Sequence, residues 1–176
     1  MALNLVNLDA ATRKYMLEEI EIDERAGRLY ISSRLSNRGA LEYPALLKAA
    51  AIASDDSFLA NELRAPGRLN SSEPRNTKSG VTYAKVPVTA PETLAEGEFN
   101  RFYARGLCRR AINDGKPRVR VYRAKDVLNP RRESIALIGQ ILDAEKLLED
   151  LRQNTGTDTA LRLPPGPNSG LSICLV

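Results

Sequence analysis

Histidine is absent from the chain. That excludes every Ser-His and Cys-His nucleophilic pair, every His-ligated zinc and any imidazole acid or base. Cysteine is scarce. Cys108 and Cys174 stand far apart, without the spacing of a disulfide scaffold and too few to hold a metal alone. They read as buried thiols of a reducing compartment. Long apolar runs are missing too. The longest, Ala49–Ala53, falls far short of the roughly 20 residues that span a bilayer. Met1–Asp9 lacks the basic start and apolar core of a signal peptide, so a cytoplasmic location without a membrane partner is expected. Neither phosphate-binding glycine motif occurs, and neither Cys-x-x-Cys nor Gly-x-Ser-x-Gly is present. The common signatures of nucleotide, redox and hydrolase chemistry are therefore lacking.

What remains is ordinary globular composition, 43% hydrophobic and 27% charged over 176 residues. A chain of this length buries about 70% of its unfolded surface and needs no covalent staple. Leu8, Ala11, Tyr15, Met16 and Ile20 recur at helical spacing behind Asn7 or Asp9 as N-cap. The acids from Glu18 to Glu24 oppose the helix dipole and predict an end near Glu21. A short strand is expected at 28–32. Residues 40–63 read as helix, with Pro44 in the first turn and Ser54 capping a second segment. Residues 65–80, rich in Pro, Gly, Ser and Asn, read as a loop or linker. A strand over 81–88 ends at Pro87. Thr89–Glu92 has the pattern of a capping box opening a helix to Asn113, and Gly115 sits at its C-terminal stop. Residues 118–123 read as strand, 135–142 as helix or strand, and Asp143 caps a helix through Arg152. Residues 159–163 read as a short strand and 164–170 as a rigid turn. The apolar end, 171–176, reads as a strand that folds back on its own sheet or joins a homo-oligomer by adding to a neighbour's.

The expected fold is α+β, a small, mostly antiparallel sheet packed with helices, with a helical N-terminal part. The boundaries are 1–64 for the helical part, 65–80 for the loop or linker and 81–176 for the α+β part, or the whole chain forms one domain.

Charge is unevenly distributed. Between Arg101 and Arg132 stand eleven basic residues, nine of them arginine, against Asp114 and Asp126 alone. Arg101, Arg105 and Arg109 follow at i, i+4 and i+8, opposite Phe99, Phe102 and Tyr103 on the helical wheel. Arg118, Arg120 and Tyr122 share one strand face, with Arg123 next to them. Together these seven residues form a candidate nucleic-acid surface, with guanidinium groups for phosphates and Tyr122 for stacking. The same charges have a second destination: the acidic segments Glu18–Glu24 and Asp143–Asp150 can pair with them internally or in a neighbouring subunit. Arg110 projects into the apolar side of the same helix and requires a partner or an outward-reaching head.

Catalytic patterns are thin. Glu92, Glu96 and Glu98, or Asp143, Glu145 and Glu149, gather at helix starts, where the dipole already favours acids. Arg105 and Arg109 beside Cys108 would lower its pKa, but no base accompanies it. No catalytic residue, metal or cofactor is expected. The sequence thus points to a non-enzymatic cytoplasmic binding or assembly protein whose arginine-rich surface meets nucleic acid or an acidic partner. The alternatives are a structural subunit of a homo-oligomeric particle and a metal-dependent phosphodiester hydrolase.

Overall fold

The computed structural model describes residues 2–78, 80–130, 132–154 and 170–176. Its first helix, α1 (Ala10–Arg25), begins where the Asp9 side chain accepts the Thr12 N–H. It runs past the predicted stop at Glu21 through the acidic segment. The reason is tertiary: Glu19 and Asp23 lie against arginines of other helices, and Glu24 accepts from Lys48 at 2.8 Å. Residues 28–32 join no sheet; that expected strand is not formed. α2 (Asn37–Ala53) is capped by Ser36, so Pro44 falls inside the helix and not in its first turn. The Oδ1 of Asp55, rather than Ser54, caps α3 (Asp56–Leu63).

Within the stretch read as a linker, Ser72–Thr77 form β1, which pairs antiparallel with β2 (Gly80–Lys85) in a separate two-stranded sheet. β1 has little strand propensity of its own and is ordered by the Val-Thr-Tyr-Ala strand beside it. α4 (Ala90–Asn113) opens without the side-chain hydrogen bond that a capping box would give Thr89. After Gly115 (φ 71°), the chain enters β3 (Arg118–Arg123). The ambiguous segment resolves into both forms, α5 (Arg132–Leu137) and then β4 (Ile141–Asp143). Asp143 caps α6 (Ala144–Gln153). Residues 159–163 and nearly all of 164–170 lie outside the described residues. β5 (Leu171–Leu175) pairs with β3 of its own chain, giving an antiparallel sheet in the order β4-β3-β5.

The class is therefore α+β, with helices leading and two small antiparallel sheets. One hydrophobic core draws on both sides of residues 65–80, from Leu3 and Met16 to Leu147 and Ile173. α4 is its axis. At 24 residues it is about 36 Å long, and it packs against α1, α3, α6 and the three-stranded sheet. Phe99, Phe102, Tyr103 and Leu107 are fully or almost fully buried along it. Gly106 sets its distance from α1. A Cβ there would lie 2.7 Å from the Met16 backbone nitrogen and 3.0 Å from the Thr12 carbonyl oxygen.

Two glycines of α4 therefore have opposite expectations. Gly106→Ala drives α1 away and lowers the denaturation midpoint. Gly97, with nothing within 4 Å of its would-be Cβ, gains helix propensity as alanine, about 1 kcal/mol of stability. Parallel denaturant melts of the two variants check both signs.

Candidate functional site

Burial on all sides of α4 decides the fate of the predicted arginine face. Arg105 is fully buried. Its Nε donates to Glu19 Oε2 at 2.9 Å, while Nη1 and Nη2 donate to Asp23 Oδ2 and Oδ1 at 2.5 and 3.0 Å. Both acids are buried, and the guanidinium stacks 4.8 Å from the Phe102 ring centre. Arg152 of α6 closes the other side of Glu19, with contacts at 3.0 and 2.6 Å. Arg109 lies 2.8 Å from Glu18 and 3.4 Å from Glu19, over the Tyr15 ring. Arg101 donates to Glu98 at 3.3 Å and to the Asn154 carbonyl at 2.6 Å.

The grouping of Arg101, Arg105 and Arg109 as one exposed cationic face is thus corrected. Helical periodicity places them on one side of α4, but carboxylates of α1 take Arg105 and Arg109, and Glu98 of α4 with the Asn154 carbonyl takes Arg101. Arg110, from the apolar side, holds both oxygens of Asp9 at 2.8 and 2.7 Å. Cys108 is buried, and burial pushes its thiol pKa up. The expected lowering by Arg105 and Arg109 is overturned by burial, with the nearby Glu19 and Asp143 charges adding to the rise.

Electrostatics separate the acids. Burial penalises the Glu19 carboxylate, but hydrogen bonds from Arg152 and the charge and hydrogen bond of Arg105 outweigh it and hold its pKa below the ordinary value. Glu98 goes the other way: burial dominates over Arg101 and raises its pKa. Asp56 is also raised by burial, although it accepts the Leu3 N–H at 3.0 Å. The remaining candidate acids have structural partners or open positions. Glu92 holds Arg64, Glu96 holds Lys125, Asp143 caps α6, and Glu145 and Glu149 are exposed. Among the described residues no cluster of three acids or cysteines is set to hold a metal. A groove lined by Ile22, Arg28, Glu149, Arg152 and Gln153 opens beside the ion network. Its two guanidiniums already face Asp23 and Glu19, and Glu149 adds a carboxylate, so it offers an anion no surplus of positive charge.

The strand half of the predicted surface stands differently. Arg118 and Arg120 are exposed on the outer face of β3, while Val119 and Val121 between them are fully buried. Among the described residues neither arginine makes a salt bridge. Lys116 beside them is also exposed. Tyr122 is half-buried; its hydroxyl donates to the Asn4 carbonyl at 2.6 Å and accepts the Val6 N–H at 3.2 Å. Arg123 is half-buried and engaged.

Sequence reading missed two sets of residues. The segment Glu18–Glu24 is one possible internal partner of the basic block, but sequence reading does not single out Glu19 and Asp23 as the pair that holds Arg105; their i, i+4 spacing, matching the i, i+4 spacing of Arg105 and Arg109, was the available signal. Arg75, Lys78, Tyr83 and Lys85 of the β1–β2 hairpin were absorbed into a linker and a plain strand. The alternation of β2 next to a glycine turn was the signal there. Searches against protein-family models, curated proteins and solved structures find no match to this chain.

Two expectations follow. Arg105→Met leaves Glu19 and Asp23 without their central partner in the interior, and removing one member of a buried pair costs about 3–5 kcal/mol; equilibrium unfolding in urea reads the loss. The pH profile combines opposite signs. The raised pKa values of Glu98 and Asp56 make folding more favourable as acidification protonates them, so the melting temperature rises modestly from neutral pH toward the ordinary glutamate value of 4.5. Glu19, with its lowered pKa, contributes stability above that value and loses it as pH falls further. Glu98→Gln flattens the rise and leaves the acid-side fall, as thermal melts across pH will show.

Proposed function

We propose that this chain is a non-catalytic binding protein that holds nucleic acid through exposed cations. The observation that carries the reading is the division within the basic block. Arg101, Arg105, Arg109, Arg110 and Lys125 are committed to carboxylates of the same chain. Arg118 and Arg120 stand outward on a strand whose other face is the core. Two arginines spaced along one strand face sit about 6.6 Å apart, close to the spacing of phosphates along one strand of a nucleic acid. They are the part of the predicted surface from which phosphates can be reached without breaking an internal ion pair, and exposed Lys116 adds a further cation beside them. Arg123 and Tyr122 lie at the margin, Tyr122 with its hydroxyl already bonded. On this reading Arg101, Arg105 and Arg109 serve to build the fold that carries the strand.

Each phosphate neutralised releases condensed counterions, so binding weakens with salt at a log–log slope of about −0.7 to −0.9 per contact. Arg118→Ala with Arg120→Ala is expected to reduce the magnitude of that slope by roughly 2 and leave the melting temperature unchanged, because both side chains are exposed. Fluorescence anisotropy of a labelled oligonucleotide over a salt series measures it. Absence of binding at low ionic strength overturns the reading.

A further inference from the structure

The β1–β2 hairpin is the least covered element of the fold. Every residue of Ser72–Lys85 for which exposure is described is exposed except Glu73 and Ala84, which are half-buried. Neither strand packs on a helix or on the other sheet beyond isolated contacts. A lone hairpin is marginal in water, and this one is fixed at its base. Arg34 Nε donates to Glu73 at 2.6 Å, the Val86 N–H donates to the Ser71 carbonyl at 3.1 Å, and Val86 is buried. From that root two six-residue strands extend about 20 Å.

The register sorts the side chains. Pro74 faces Tyr83 and Asn76 faces Val81, with the Ser72–Lys85 pair at the base of the same face. Tyr83 is 76% exposed and Val81 62%. Arg75, opposite Thr82, lies on the other face. The charges are Arg75, Lys78 and Lys85 against Glu73 alone, and Glu73 is held by Arg34, with Arg75 no closer than 3.9 Å. A proline and lysines on free edges discourage strand-to-strand aggregation, but that does not account for an exposed tyrosine and valine aligned on one face.

We propose that this hairpin is an arm that enters the major groove of double-stranded DNA. The inference rests on the nucleic-acid reading above and assigns it a substrate class and a second contact element. Three observations carry it. Charge is complementary, since the arm presents three cations and its single acid is already paired. The shape fits, since a two-stranded ribbon enters the roughly 12 Å major groove of B-form DNA whereas the A-form major groove of RNA is too narrow for side-chain readout. The chemistry fits, since on one face Asn76 can hydrogen-bond base edges while Val81 and Tyr83 give apolar contact for thymine methyl groups. Pairing of the arm with a second copy would bring two sets of three cations together, which opposes that occupant.

The test compares wild-type protein, the variant Arg75→Ala/Lys78→Ala/Lys85→Ala, the single variant Tyr83→Ala, and Arg118→Ala/Arg120→Ala. Each is titrated against duplex DNA, duplex RNA and single-stranded DNA. Dimethyl sulfate protection of guanine N7 reports the major groove, and thermal melts confirm folding; the single Tyr83 variant keeps the test open if the triple variant does not fold. Expected are preference for duplex DNA, N7 protection by wild type, loss of protection in both hairpin variants, and a salt slope smaller in magnitude by about 3 in the triple variant. Hairpin variants that bind like wild type, while Arg118→Ala/Arg120→Ala weakens binding, overturn the arm and leave the strand-face reading standing. The converse pattern supports the arm and overturns the strand face. Binding of duplex RNA equal to duplex DNA overturns the groove assignment. A wild-type dimer in solution that Tyr83→Ala dissociates overturns it in favour of self-pairing, and no binding to any probe overturns both proposals.

Discussion

Arg105 carries its charge to a place that water does not reach, and the geometry of α1, α4 and α6 follows from how that charge is satisfied. A guanidinium has five donors in a fixed fork; here the fork is filled by Glu19 on one side and both oxygens of Asp23 on the other. The carboxylates must lie one turn apart on a helix running close alongside α4. Gly106 permits that approach, because any side chain there would meet the α1 backbone. Arg152 then neutralises what remains of Glu19 and ties α6 to the same point. A buried ion network of this kind adds little net stability over an apolar core of equal volume. Its effect is on arrangement: any other pairing of these helices strands a charge in the interior.

The network also determines which charges reach the surface. Arginines at helical spacing along α4 are consumed by α1, by Glu98 of α4 itself and by the Asn154 carbonyl after α6, so the basic block does not become a basic helix face. The residual positive charge moves to strands. On β3 the cations alternate with Val119 and Val121, which are locked into the core, so the backbone itself holds Arg118 and Arg120 outward. On the hairpin packing covers only part of Glu73 and Ala84, and Arg75, Lys78 and Lys85 stay exposed.

The two exposed basic elements flank α4 along the chain. The hairpin leaves the chain just before the start of that helix, and β3 begins just after its end. β3 then runs back along the helix, since Lys125 just past its end pairs with Glu96 near the start of α4.

By itself the sequence determined the parts whose signals are local. Asp9, Asp143 and Gly115 marked helix ends because caps and left-handed stops depend on one residue and its neighbours. The Val119–Val121 alternation marked β3, and the α+β class followed from the succession of periods. Tertiary structure decided what depends on distant partners. α1 continues through Asp23 because arginines more than eighty positions away neutralise it. β1 is a strand because β2 lies beside it. Arg101, Arg105 and Arg109 share a face that periodicity revealed correctly, but whether a face meets water or another helix is not encoded in its own spacing. Side-chain charge sets only that a partner is required; the packing of α1 against α4 chose carboxylates of the same chain, and left Arg118, Arg120 and the hairpin to the solvent.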